Sequence, residues 1–126
     1  MNIFEQSVLL KEGTDFFTKG KLTEALNCFL RLAAADPERL GAQLMIGLTR
    51  IKMGAPAQAL INFSLAEDLL THEQLLDAKN AAELKLGLLT AKIFCCRDLR
   101  DYERAKKLKD KYREELQRQR GAKEDL

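Results

Sequence analysis

The chain repeats itself. Shifted by 34 residues, Gly13 falls on Gly47, Gly20 on Gly54, Ala25 on Ala59, Leu26 on Leu60 and Phe29 on Phe63. A self-similarity of this length marks one supersecondary unit that cannot bury its apolar face alone and must stack on its neighbours. The matched types are informative about the unit. Glycine and alanine suit places where two backbones approach closely, and phenylalanine fills the space beside them. Composition says what the unit is made of. Leu, Ala, Lys, Glu and Arg dominate, Val8 is the single valine and there is no Trp, so the chain favours helices over sheets. At 126 residues, 46% apolar and 32% charged, it suffices for one continuous core.

Gly13 with Phe16, then Gly20, Ala25, Phe29 and Pro37, resemble the tetratricopeptide repeat: a small residue and an aromatic on the first helix, then Gly, Ala, an aromatic and a closing Pro. The second copy keeps Gly47, Gly54, Ala59, Phe63 and Ala66, but has Arg50 in place of the aromatic and Thr71 in place of the proline. The resemblance implies an all-α chain of three tandem helix-turn-helix hairpins in a short right-handed α-solenoid. Gly13 and Gly47 are expected at close helix crossings, and Gly20 and Gly54 in left-handed turns. The repeats fall at about 6–39, 40–71 and 72–119, in a single domain 1–119 followed by a flexible tail, 120–126. In the third unit the register slips, for Ala105 lies twelve residues later than the period places it. An extended first helix accounts for the slip.

Helix punctuation fits this division. Asn2 with Glu5 forms a capping box, and the first helix is expected to end at about Lys19. The second spans Leu22 to Ala35. Asp36-Pro37 is read as the opening of the third helix and Pro56 as that of the fourth. Thr71-His72-Glu73-Gln74 reads as another capping box, starting a fifth helix that runs to about Arg97 and is the longest. Its wide apolar arc, through Leu75, Ala78, Ala82, Leu86, Leu89, Ile93 and Cys96, requires neighbours on two sides. The sixth, from Tyr102 to about Gln119, carries Tyr102, Ala105, Leu108, Tyr112 and Leu116 on one face and charge elsewhere.

The chemistry-bearing residues are sparse. His72 is the one histidine and has no acid or nucleophile beside it in the pattern. Cys28, Cys95 and Cys96 fit neither a disulfide framework nor a zinc set, and no Gly-rich phosphate loop is present. No enzyme, cofactor or metal is therefore expected, and the cysteines suit a reducing, cytoplasmic setting. No apolar run reaches the ~18 residues of a membrane span, and the N-terminus lacks the features of a signal peptide. Net charge is +2. Eleven Lys or Arg between Arg97 and Lys123, Lys106, Lys107 and Lys109 among them, are interspersed with six Asp or Glu. That mixture suits a solvated helix face and disfavours nucleic acid.

Binding remains. In tetratricopeptide proteins the first helices of successive repeats line a groove for a peptide or helix, and some relatives grip a C-terminal carboxylate with Lys and Asn there. Those positions carry Leu10, Thr14 and Met45 here, which disfavours a carboxylate clamp. Leu10, Thr14, Phe17, Leu44, Leu48 and Ile51 form the expected partner-binding groove, apolar except at Thr14, for a protein partner supplying an amphipathic helix or hydrophobic segment. The competing reading makes the same residues core. Small three-repeat proteins of this kind resemble the type III secretion chaperones. The alternative functions are a structural subunit that stacks or pairs as a homodimer and, lower, a basic C-terminal helix docking on nucleic acid.

Overall fold

A computed structural model describes residues 1–72 and 76–124, with side chains as far as 121. The described residues form six helices: α1 (Ile3–Thr18), α2 (Leu22–Ala35), α3 (Leu40–Lys52), α4 (Pro56–Leu70), α5 (Ala78–Asp98) and α6 (Tyr102–Glu124). Each packs chiefly on the helix before and after it in sequence, so three hairpins stack in a row. This is an α-solenoid of helical hairpins, with α5 the extended first helix of the third.

The hairpin turns are identical in their bonding. Lys21 N–H donates to Phe16 O, Ala55 to Arg50 O and Asp101 to Cys96 O, at 2.9, 2.8 and 2.8 Å. The central residue of each turn is left-handed: Gly20 at φ +78°, Gly54 at +77° and Arg100 at +62°. Gly20, Gly54 and Arg100 are therefore equivalent, and they set a common register for the three hairpins. In this register Ala25, Ala59 and Ala105 coincide, and all three are buried.

The crossing of the first two hairpins depends on glycine. A Cβ on Gly13 would lie 2.7 Å from Phe29 Cε1, and one on Gly47 2.7 Å from Phe63 Cε1. The third hairpin has Ile93 where these glycines stand and Lys109 where the phenylalanines stand, so the bulky apolar group has moved to the other helix. Phe29 also joins Ile46 of α3 in one apolar cluster, tying the first hairpin to the second. The main core joins Leu40, Leu60 and Phe63 to Leu88, Leu89, Cys95 and Cys96, then to Ala105 and Leu108. It spans the second and third hairpins.

Several boundaries differ from those expected. Asp36-Pro37 precedes α3 instead of opening it. The Asp36 carboxylate accepts from Glu38 N–H at 3.2 Å, its carbonyl accepts from Arg39 N–H, and the helix begins at Leu40. Thr71 closes α4, its hydroxyl donating to Asp68 O, while Asp77 caps α5 by accepting from Asn80 N–H at 2.7 Å. Glu73, Gln74 and Leu75 of the expected capping box and helix lie outside the described residues. The longest helix is α6, 23 residues against 21 for α5, and it continues to Glu124, past the boundary drawn at 119. Nothing stops it there: Gly121 is tolerated within a helix, and basic residues near the end suit the helix dipole. Tyr102 is 63% exposed and takes no part in the face that buries Ala105 and Leu108.

Candidate partner-binding face

The six expected groove residues divide into two groups. Leu10 and Phe17 are half-buried against the first-hairpin clusters, and Leu44 and Ile51 against the main core. Thr14 is exposed, its hydroxyl donating to Leu10 O, and Leu48 is 40% exposed. So Leu10, Phe17, Leu44 and Ile51 form the edge of the core, while Thr14 and Leu48 face solvent.

The shared register explains the division. Thr14 and Leu48 each stand six residues before the left-handed turn residue, and the equivalent position in the third hairpin is Phe94. Phe94 is 54% exposed. A Thr14–Leu48–Phe94 row thus occupies one position on the first helix of every hairpin. It ascends from polar to fully apolar. The 34-residue period misses Phe94 because α5 is longer, but Ala105 gives the correct offset. Beside the row, Lys52 holds its ammonium 4.2 Å from the centre of the Phe17 ring, a cation–π contact that links the ends of α3 and α1. Met53 and Leu99, the residues preceding the second and third turn residues, are 43% and 42% exposed.

The polar interior is structural. Arg50, standing where the first hairpin has Phe16, donates to Asn62 Oδ1 at 2.7 Å, and Asn62 donates onward to Gln43 Oε1 at 2.9 Å. The relay bridges α3 to α4 where an aromatic would otherwise pack. Glu115 is buried between α5 and α6, bound by Arg118, by Gln119 at 3.1 Å and by Lys85 at 3.2 Å. The Arg118 hydrogen bonds foremost, assisted by Gln119 and Lys85, outweigh its desolvation and draw its carboxyl down to about 2. Such a group stays ionised near neutrality and is not placed to exchange protons. Cys28, Cys95 and Cys96 are buried and unbonded, and burial pushes the Cys95 thiol up to about 11, which suppresses the nucleophilic thiolate. His72 is exposed in the turn after α4. Among the described residues no three His, Cys, Asp or Glu side chains gather to hold a metal ion, and no helix is long and apolar enough to cross a membrane.

Neither a protein-family model nor a curated protein matches the sequence. Among solved structures, the first TPR of Spaghetti (RPAP3), bound to an HSP90 peptide SRMEEVD, superposes with a TM-score of 0.71. The match has 21% identity and covers 91% of this chain and 82% of that one. The fold is tetratricopeptide-like. Leu48 and Phe94 stand exposed at equivalent positions on the first helices of the second and third hairpins.

Proposed function

We propose that this protein is a protein-interaction adaptor that receives a hydrophobic or amphipathic helical segment of a partner along the Thr14–Leu48–Phe94 row. The observation that supports it is the pair of large apolar side chains, Leu48 and Phe94, left in solvent at equivalent positions of adjacent hairpins. About half of each side chain remains open to solvent, so a partner that covers it gains about half of the roughly 1.5–3 kcal/mol that full burial is worth. Leu44 and Ile51, half-buried against the main core, flank Leu48 along α3 at spacings of four and three. The RPAP3 neighbour is bound to the HSP90 peptide SRMEEVD, which supports polypeptide binding by this architecture. The occupant here is of other chemistry, since Leu10, Thr14 and Met45 replace a cationic clamp. A chaperone role, shielding such a segment until it reaches its own partner, is compatible with the same face.

A displayed-peptide selection tests the reading. Wild-type protein should enrich peptides with two or three spaced apolar anchors, and the peptide SRMEEVD should bind far more weakly. Leu48→Lys and Phe94→Lys should each cut affinity for the enriched peptides at least about tenfold, with melting temperature nearly unchanged, as exposed positions allow. Leu44→Lys should instead destabilise the fold. Preferential capture of acidic C-terminal peptides, or indifference of binding to both exposed variants, would overturn the proposal.

A further inference from the structure

We infer that the two ends of the row of hairpins are complementary, and that copies of this chain associate head to tail, α1 of one docking on the α5–α6 groove of the next. The inference concerns faces other than the Thr14–Leu48–Phe94 row, and does not depend on what that row binds.

The common register shows how one hairpin receives the next. The residue thirteen after the turn residue meets the residue eight before the following turn residue. Between the first and second hairpins these are Ala33 and Ile46, which share one apolar cluster. Between the second and third they are Glu67 and Lys92, an ion pair at 3.4 Å with the Lys92 side chain 10% exposed. Counting onward from Arg100 gives Arg113 as the receiving residue of the third hairpin, and counting back from Gly20 gives Glu12 as the incoming residue of the first. The charges are opposite once more, with the polarity reversed.

The surroundings agree. Thr90, Ile93, Lys109, Tyr112, Arg113 and Leu116 line an open cleft of about 290 Å³ on the last hairpin. Their equivalents one hairpin earlier are Leu44, Gly47, Phe63, Ala66, Glu67 and Leu70. Leu44, Phe63, Ala66 and Leu70 belong to the core that receives α5, and Glu67 supplies the ion pair to it. The cleft is thus the next seat of the array.

The face that would enter it is equally defined. On α5 the incoming stripe is Leu84, Leu88, Lys92 and Cys95, half-buried or buried against its neighbours. The same positions on α1 are Phe4 (76% exposed), Val8 (40% exposed) and the exposed Glu12 and Asp15. Successive helices run antiparallel, so Phe4 and Val8 fall near Leu116, Glu12 near Arg113 and Asp15 near Lys109. Apolar groups meet apolar groups, and two carboxylates meet two cations. Arg113 is held only at the surface, 3.3 Å from Asp110, and is available for a second carboxylate. An interface between two different faces of identical chains adds copies in a line or ring.

Sedimentation velocity at low salt over a concentration series tests this. Wild type should form concentration-dependent oligomers that dissociate as salt is raised. Glu12→Arg and Arg113→Glu, both at exposed positions, should each keep the helical fold but weaken association at least about tenfold, because like charges then face each other. Mixing the two variants should restore it, since every alternating junction is again of opposite charge. A wild type that stays monomeric throughout, oligomers unchanged in both variants, or a mixture no better than either variant alone would each overturn the proposal.

Discussion

A Cβ at position 47 would press within 2.7 Å of the Phe63 ring, which is itself 1% exposed and has nowhere to retreat. Gly47→Ala should therefore cost about 1–3 kcal/mol despite alanine's better helix propensity, as overpacking does elsewhere. A urea titration reads this directly, and an unmoved midpoint would mean that the crossing can relax. The opposite sign is expected at Arg100. Its φ of +62° is a conformation in which a side chain is strained and glycine is not. Arg100→Gly should stabilise the protein by up to about 1 kcal/mol, less than the strain removed because glycine also frees the unfolded chain. A lowered melting temperature would contradict it. The same pair of positions shows what could be read from sequence. Gly20 and Gly54 advertise their turns because no other residue adopts that backbone so freely. Arg100 makes the same turn without the advertisement, so only the displaced Ala105 carries the offset that pairs Phe94 with Leu48.

At the scale of helices, ends followed by glycine turns were legible and starts were less so. Asp36-Pro37 has the composition of a helix start, yet Asp36 uses its carboxylate on Glu38 N–H in a local turn, and α3 begins without a side-chain cap. Before α5 the capping box is expected at Thr71, yet Thr71 closes α4 while Asp77 bonds Asn80 N–H. Residue type alone does not decide which end of a helix such residues serve. The burial of Glu115 was equally hidden, since a glutamate in a charged helix reads as solvent-facing until Lys85 of α5 is brought against it. Its consequence is a pH dependence. Arg118 foremost, with Gln119 and Lys85, lowers its carboxyl from 4.5 to about 2, so the stabilisation it gives is whole above pH 4.5 and is lost as pH falls towards about 2. Glu115→Gln should accordingly melt below wild type at neutral pH, and the gap between them should close across that window. A gap that stays constant from neutral pH down to about 2 would remove Glu115 from the acid response.

Contacts that run mainly from each helix to the next make the whole molecule close to one-dimensional, and stability in such an array is carried by local units and their junctions. The clusters are unequal. The first hairpin shares small clusters with α3 through Ala42 and Ile46, whereas the second and third share the main core. The chain should therefore open from its α1–α2 end while the remainder holds, and hydrogen exchange should find the slowest amides in α3, α4 and the C-terminal half of α5. Two matched lesions separate this from all-or-none opening. Gly13→Ala drives a Cβ against Phe29 at the end of the array, and Gly47→Ala drives one against Phe63 in its middle, each at 2.7 Å. The end lesion should accelerate exchange in α1 and α2 and leave α4 and α5 nearly as protected as before. The central lesion should accelerate exchange from α3 through α6. Equal loss of protection along the chain in both variants would mean that the three hairpins unfold as one unit, and that the weak first junction is no boundary. The same local opening would loosen the α1 face that carries Phe4, Val8, Glu12 and Asp15. Gly13→Ala should then weaken head-to-tail association more than peptide binding, which rests mainly on Leu48 and Phe94 of the other two hairpins, a separation that only a modular array permits.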